Sequence, residues 1–131
     1  DGHRLTLDQV EHSILRECWD EPRVHDALNC AAIGCPDLAR DPYTGRHLDA
    51  MLTAAARGYI NSYRGVRVED GKLFASSIFK WFGEDFGDTD EEVIAHFIQY
   101  AEPGLADQLR NFDRIDRDGY DWRLNEPERS E

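Results

Sequence analysis

Lysine is almost missing from this 131-residue chain. Only Lys72 and Lys80 occur, against thirteen arginines and twenty-seven acidic residues, and the formal net charge is −12. A surface of that sign repels a phosphate backbone, which argues against nucleic acid as a partner. No apolar run approaches the ~20 residues of a membrane span. Cysteine is sparse as well. The three residues Cys18, Cys30 and Cys35 include no Cys-x-x-Cys pair, so the sequence offers no standard zinc module. An odd count leaves at least one thiol outside any internal bridge. Low-complexity linkers and internal repeats are absent too, and no cofactor is called for.

What is present fits one folded domain. Hydrophobic residues make up 40% and aromatics 11% of the chain, enough for a core without staples at this length. The stretch around which the chain is organised runs over 23–36, Arg-Val-His-Asp-Ala-Leu-Asn-Cys-Ala-Ala-Ile-Gly-Cys-Pro. It leads apolar residues into a Gly34-Cys35-Pro36 turn with reactive side chains on either side. Its period is ambiguous. Pro22 can open a short helix supported by Ala27, Leu28, Ala31 and Ala32, or the 24–30 segment is a buried strand. In either geometry His25 and Cys30 face different sides. Cys30 and Cys35 are near enough in sequence to bridge across the turn.

The rest reads mainly as helix. Thr6 caps a first helix with Gln9 in the capping-box position, and Leu5 with Val10 forms a staple. Leu7, Val10, Ile14 and Cys18 share its apolar face, which predicts a buried Cys18, while Glu11 and His12 turn to solvent. Thr44 caps a helix over 45–62 with Leu48, Met51, Leu52, Ala55, Tyr59 and Ile60 inward. An Asp70-Gly71 turn between alternating residues over 65–74 predicts a β-hairpin. Ser76 or Ser77 then caps an aromatic-rich helix ending at Gly87. Thr89 and Glu92 form a second capping box, with His96 beside the apolar stripe and at the surface. Pro103 starts a shorter helix, and the alternating residues at 120–124 read as a last strand. The expected fold is therefore α+β: about five helices on a small, mostly antiparallel sheet built from the 24–30 segment, the hairpin and the 120–124 strand.

Three blocks resemble the family called domain of unknown function 547. Leu5 through Arg16 is similar to its SLDDIEHGILR helix, and Arg23 through Pro36 to its RIHFALNCASKSCP segment. The third block pairs Ile78-Phe79-Lys80-Trp81-Phe82 with Tyr120-Asp121-Trp122-Arg123-Leu124-Asn125, like YDWSLN. Asp26 stands where the family usually has an aromatic. Members carry an upstream helix with a Trp-x-Asn-x-Tyr-Asn pattern. The resemblance thus implies that 1–125 form one such domain lacking its N-terminal helix segment, followed by a charged tail over 126–131. An apolar patch is then expected where that helix, or a protein partner, docks. Many members resemble exported proteins, which implies an extracytoplasmic, periplasmic or secreted, location and favours a Cys30–Cys35 disulfide.

Three functions compete. The first is a binding or scaffold module at the cell envelope, with Cys30 and Cys35 structural. The second is a cysteine-dependent hydrolase or amidase. Cys30 would be its nucleophile and His25, the family-matched candidate, or His12 its base, with Glu11 or Asn29 orienting that base. The third is a zinc site made by His25, Cys30 and Cys35, with His12 as a fourth ligand.

Overall fold

The computed structural model describes residues 2–127. Thr6 and Gln9 open the first helix as expected. The Gln9 amide donates to Thr6 Oγ1 at 3.1 Å, and Gln9 Oε1 accepts from the Thr6 amide at 2.9 Å. Beyond that point the helix departs from the usual winding. Gln9–Leu15 is a π-helix, closed by the Arg16 amide bonding the Glu11 carbonyl, and it runs into an α-helical turn at Arg16–Cys18. We call the whole α1. The wider winding breaks the 3.6-residue spacing on which the expected apolar stripe depended. No residue of α1 is buried. Leu7 is 89% exposed and Leu5 56%, so neither the stripe nor the staple forms. Cys18 is a free, exposed thiol rather than a core residue.

The 24–30 segment is not a strand. Val24–Ala27 is a short helix, α2, entered through Pro22, whose carbonyl accepts the His25 amide. Leu28 is extended and ends that helix, and a run of turns and loop leads to α3, Leu48–Ile60. That helix starts three residues later than expected, because Thr44 first makes a separate turn with His47. The hairpin forms as read: β1, Val66–Glu69, pairs antiparallel with β2, Lys72–Ser76, in the register Val66↔Ala75 to Glu69↔Lys72. Asp70 and Gly71 both take positive φ, 53° and 70°, as the tight turn requires.

Ser76 accepts the Ile78 amide and caps α4, Ser77–Trp81; Phe82 interrupts the helix before α5, Gly83–Phe86. Thr89 and Glu92 complete both halves of the capping box on α6, Asp90–Tyr100. Pro103 begins α7, Pro103–Leu109. The last strand lies earlier than expected: β3 is Arg117–Gly119, parallel to β2, giving the sheet order β1-β2-β3. The fold is thus α+β, with seven helices and a mixed three-stranded sheet among the described residues.

Residues 120–125 instead lie antiparallel to 31–34. The main buried cluster gathers Tyr59, Ile60, Val66, Leu73, Phe79 and Phe97 with neighbours from β2, α4, α6 and α7. Among the described residues no helix is long and apolar enough to cross a membrane.

Candidate functional site

The Cys30 loop is built by short-range polar contacts. Asn29 Oδ1 accepts the Ala31 amide at 3.0 Å, folding the chain back on itself. Asn29 Nδ2 donates to the Pro36 carbonyl at 2.9 Å and closes the loop's base. Ala31 sits at φ 63°, a conformation that L-residues seldom adopt. Asn29 therefore shapes the loop rather than orienting a histidine. The Ile33 and Gly34 amides bond the carbonyls of Arg123 and Asp121, and the Asn125 amide bonds that of Ala31. Gly34 is needed there, since a Cβ would stand 2.9 Å from both the Asp121 nitrogen and the Tyr120 ring. The buried Tyr59 hydroxyl holds the Gly34 carbonyl and Ser76 Oγ, each at 2.7 Å, tying the loop to the core.

Cys30 and Cys35 are joined in a disulfide with a Cα–Cα separation of 6.0 Å. Its two sulfurs differ sharply. Cys30 is exposed, whereas Cys35 is 2% exposed. The Tyr120 hydroxyl lies 2.8 Å from each sulfur, and the Cys30 amide donates to Cys35 Sγ at 3.0 Å. Burial raises the Tyr120 phenol above its ordinary value, so it stays a donor through the neutral range. Trp81 and Trp122, both exposed, stack around Tyr120 with ring centroids 5.1 Å and 4.7 Å away.

His25 belongs to a different network. Its ring is buried flat against Phe82, with centroids 4.4 Å apart and planes at 8°. Its Nε2 pairs with Asp85 Oδ2 at 2.6 Å. Asp85 is also gripped by Arg16, through Nε at 2.6 Å and Nη2 at 3.2 Å. The Arg16 guanidinium, followed by His25, holds the Asp85 carboxyl below its usual range against the effect of burial. Burial depresses the His25 imidazole, and Asp85 opposes that shift. His12 stays half-buried at the edge of this cluster, with Nδ1 3.2 Å from Arg16 Nη1 and its ring 5.8 Å from that of Phe82. Glu11 lies 4.0 Å from His12 Nε2. His12 and Arg16, four residues apart, share the side of α1 that faces Phe82 and Asp85.

A second histidine, expected at the surface, is in fact buried. His96 Nε2 bonds Asp26 Oδ2 at 3.0 Å, and Asp26 itself is 1% exposed. Desolvation lifts the Asp26 carboxyl above its normal value despite the imidazole. The two residues are seventy apart in sequence, and the apolar stripe of α6 alone gives no sign of the pair. Asp85, Arg16 and Tyr120 are likewise functional neighbours that no local pattern singles out.

The structure thus separates the residues proposed for catalysis. Cys30 and Cys35 contact Tyr120, while His25 and His12 contact Asp85 and Arg16. Among the described residues no group of three or more His, Cys, Asp or Glu side chains is placed to hold a metal ion. The His25, Cys30, Cys35 and His12 quartet is therefore not assembled into a zinc site.

Beside α2 an apolar groove of about 630 Å³ opens between α1 and α3. Leu15, Trp19, Val24, Leu28, Leu48 and Leu52 line it, with Glu21, Arg23 and Asp49 at its polar edge. Arg23 is fixed there by Glu21 at 2.6 Å and Asp49 at 2.9 Å, and these carboxylates raise its pKa further. Trp19 is 59% exposed and Leu48 42%.

No curated protein and no solved structure matches the chain. A family model does. It covers residues 1–60, from α1 through the disulfide loop to the end of α3, so it spans both the groove and the Cys30–Cys35 bridge. Its description is "Protein of unknown function, DUF547", and it is this N-terminal segment, just under half of the chain, that is similar to that family.

Proposed function

We propose that the protein is a binding module whose groove between α1 and α3 receives the apolar face of a helical protein segment. The observation that carries this reading is the groove itself. It is of ligand-pocket size, lined by leucines, a valine and Trp19, with the paired charges of Glu21, Arg23 and Asp49 among its lining. An amphipathic helix placed along it would bury Trp19, Leu48 and Leu15 and leave its polar face towards Glu21 and Asp49. The segment is supplied either by another part of the polypeptide or by a second protein, and a basic polar face complements the −12 net charge.

The disulfide supports the same reading. It ties the loop that follows α2, which forms one wall of the groove, and a bridged Cys30 is not a free nucleophile. It also suits an oxidising, extracytoplasmic setting at the envelope. The hydrolase alternative draws less support, because both ring neighbours and the carboxylate of His25 lie in a network separate from Cys30.

The test is binding of amphipathic helical peptides, followed by Trp19 emission in a background with Trp81 and Trp122 changed to phenylalanine. Binding with a blue shift, abolished by Leu48→Asp, is the expected result. Leu48 is partly exposed, so that change should leave the fold intact. Peptide binding that survives Leu48→Asp, or no affinity for any apolar helix, would remove the groove from the argument.

A further inference from the structure

The geometry points to a thiol–disulfide exchange site at the Cys30–Cys35 bridge, with Cys30 the sulfur attacked by an incoming thiolate and Cys35 the leaving group. Exchange requires one sulfur within reach of solvent and a leaving thiolate that is stabilised as it forms. Both conditions are met. Cys30 is exposed and Cys35 is buried. Cys35 Sγ already receives the Cys30 amide at 3.0 Å and stands 2.8 Å from the Tyr120 hydroxyl. That hydroxyl has one proton and is equidistant from both sulfurs. As negative charge builds on Cys35, the proton bonds to that sulfur.

The electron count closes with thiols as the only co-reactant. A thiolate, RS⁻, attacks Cys30 Sγ; the Cys30–Cys35 bond breaks, its electron pair leaves on Cys35, and a Cys30–SR mixed disulfide forms. A second thiolate attacks the sulfur of R, releasing RSSR and the Cys30 thiolate. Two thiols are thereby oxidised and one protein disulfide reduced, with both protons passing to the cysteines.

A purely structural bridge explains the arrangement less well. The loop is independently held by the Ile33–Arg123, Gly34–Asp121 and Asn125–Ala31 backbone bonds, by Tyr59 on Gly34 and by Asn29 on Pro36. Opening the sulfur bond leaves all of these in place, so exchange does not require unfolding. The bridge closes a loop of only five residues in sequence separation, where a crosslink contributes least. Beside the exposed sulfur, Trp81 and Trp122 offer an apolar flank, 46% and 71% exposed, to whatever carries the thiol. A cysteine with apolar neighbours in a peptide fits that flank better than a small polar thiol does. This inference does not depend on the groove.

The experiment uses the full chain with Cys18→Ser, since Cys18 is an exposed free thiol. The folded protein is incubated with reduced glutathione or with a cysteine peptide flanked by leucines, quenched with acid and mapped by mass spectrometry. Adducts at Cys30 and none at Cys35 are expected, forming well below the denaturation midpoint. Adding Cys35→Ser should trap the Cys30 adduct when the oxidised form of either thiol is offered. Tyr120→Phe should slow reduction about tenfold, the loss of one hydrogen bond to a developing thiolate. Trp122→Ala should slow the peptide and spare glutathione if peptides are the substrates; equal rates throughout assign the site to small thiols. A bridge that is reduced only in denaturant, in the parent protein and in Tyr120→Phe alike, would overturn the proposal, as would adducts confined to Cys35.

Discussion

Replacing Asp85 by asparagine tests how the first third of the chain is attached to the rest. Asp85 lies on α5 yet holds Arg16 of α1 and His25 of α2. The His25 side chain is 1% exposed, so its Nε2 has no water to fall back on, and losing a charged partner there costs about 2 kcal/mol. Arg16 keeps Glu84 at 3.1 Å, which limits its own loss to about 1 kcal/mol. The sum is about 3 kcal/mol at neutral pH, or a fall in Tm of roughly 12 °C at this chain length.

The pH dependence makes the prediction sharper. Both groups are held below their ordinary values, so each contributes stability that is present above its unfolded pKa and lost as pH falls through the folded one. For His25 the loss begins near the unfolded value of about 6.5, and for Asp85 below about 4. In Asp85→Asn the main opposition to the desolvation of His25 is gone and only the weaker pull of Glu11 is left, so its depression deepens. The stability gap between the two proteins should therefore widen from pH 7 to about 5, then close below about 4 as wild-type Asp85 is protonated. Asp26, raised by burial, slopes the opposite way in both proteins and cancels in the difference. Chemical denaturation across pH 3–8 reads the gap directly. A loss under about 1 kcal/mol, or a gap indifferent to pH, would refute this account of the attachment.

Other substitutions probe the loop and the caps. Tyr59→Phe strips the buried Gly34 carbonyl of its partner and should cost about 1–3 kcal/mol by denaturant titration, loosening the Cys30 loop in hydrogen exchange. Gly34→Ala forces a Cβ to 2.9 Å from the Asp121 nitrogen, which should cost about 1–3 kcal/mol and alter the near-UV dichroism of Trp81 and Trp122. Thr89→Ala removes one half of the α6 capping box and should lower stability by about 1 kcal/mol, a loss that Thr89→Ser largely avoids.

What the sequence reveals follows the range of the physics. The hairpin and both capping boxes depend on residues a few positions apart, and each appears where its turn or cap residues stand: Asp70-Gly71, Thr6 with Gln9, Thr89 with Glu92. The failures share a cause of the other kind. Cys18 was placed inside by a 3.6-residue count that π winding invalidates. His96 reads as surface although Val93, Ile94 and Phe97 are buried around it on α6; in the fold it packs against Phe86 and Tyr100 and bonds Asp26, from a helix seventy residues earlier. The 24–30 segment and the 120–124 segment each carry strand-like alternation, but the first starts as a helix over 24–27 and the sheet pairs β2 with 117–119, just before the second. For the candidate site, Cys30, Cys35 and the surrounding turn were legible. Tyr120, the donor shared by both sulfurs, was not, since ninety residues separate it from Cys30.

The contrast extends to how the two parts of the molecule are joined. Every residue of the contiguous buried cluster lies at or beyond Tyr59, so the segment up to α3 adds nothing to it before that tyrosine. The earlier segment is instead fastened by named polar links: Arg16 and His25 on Asp85, Asp26 on His96, the Gly34 carbonyl on Tyr59, and backbone bonds to 121–125. Apolar burial is non-directional, whereas these links fix orientation and depend on protonation. That division explains why the groove can stay open. The end of α3 gives Tyr59 and Ile60 to the core, while Leu15, Val24, Leu28 and Leu48 are left to line the groove. It also locates the weak point of the fold. The His25–Asp85 pair lies in this attachment with both groups held below their ordinary values, so acid should loosen the matched 1–60 segment before it melts the hairpin and α6. Hydrogen exchange at pH 5 should then show protection lost in α2 while β2 and α6 retain theirs. Uniform loss across all three would mean that the apolar cluster and the polar seam act as one cooperative unit.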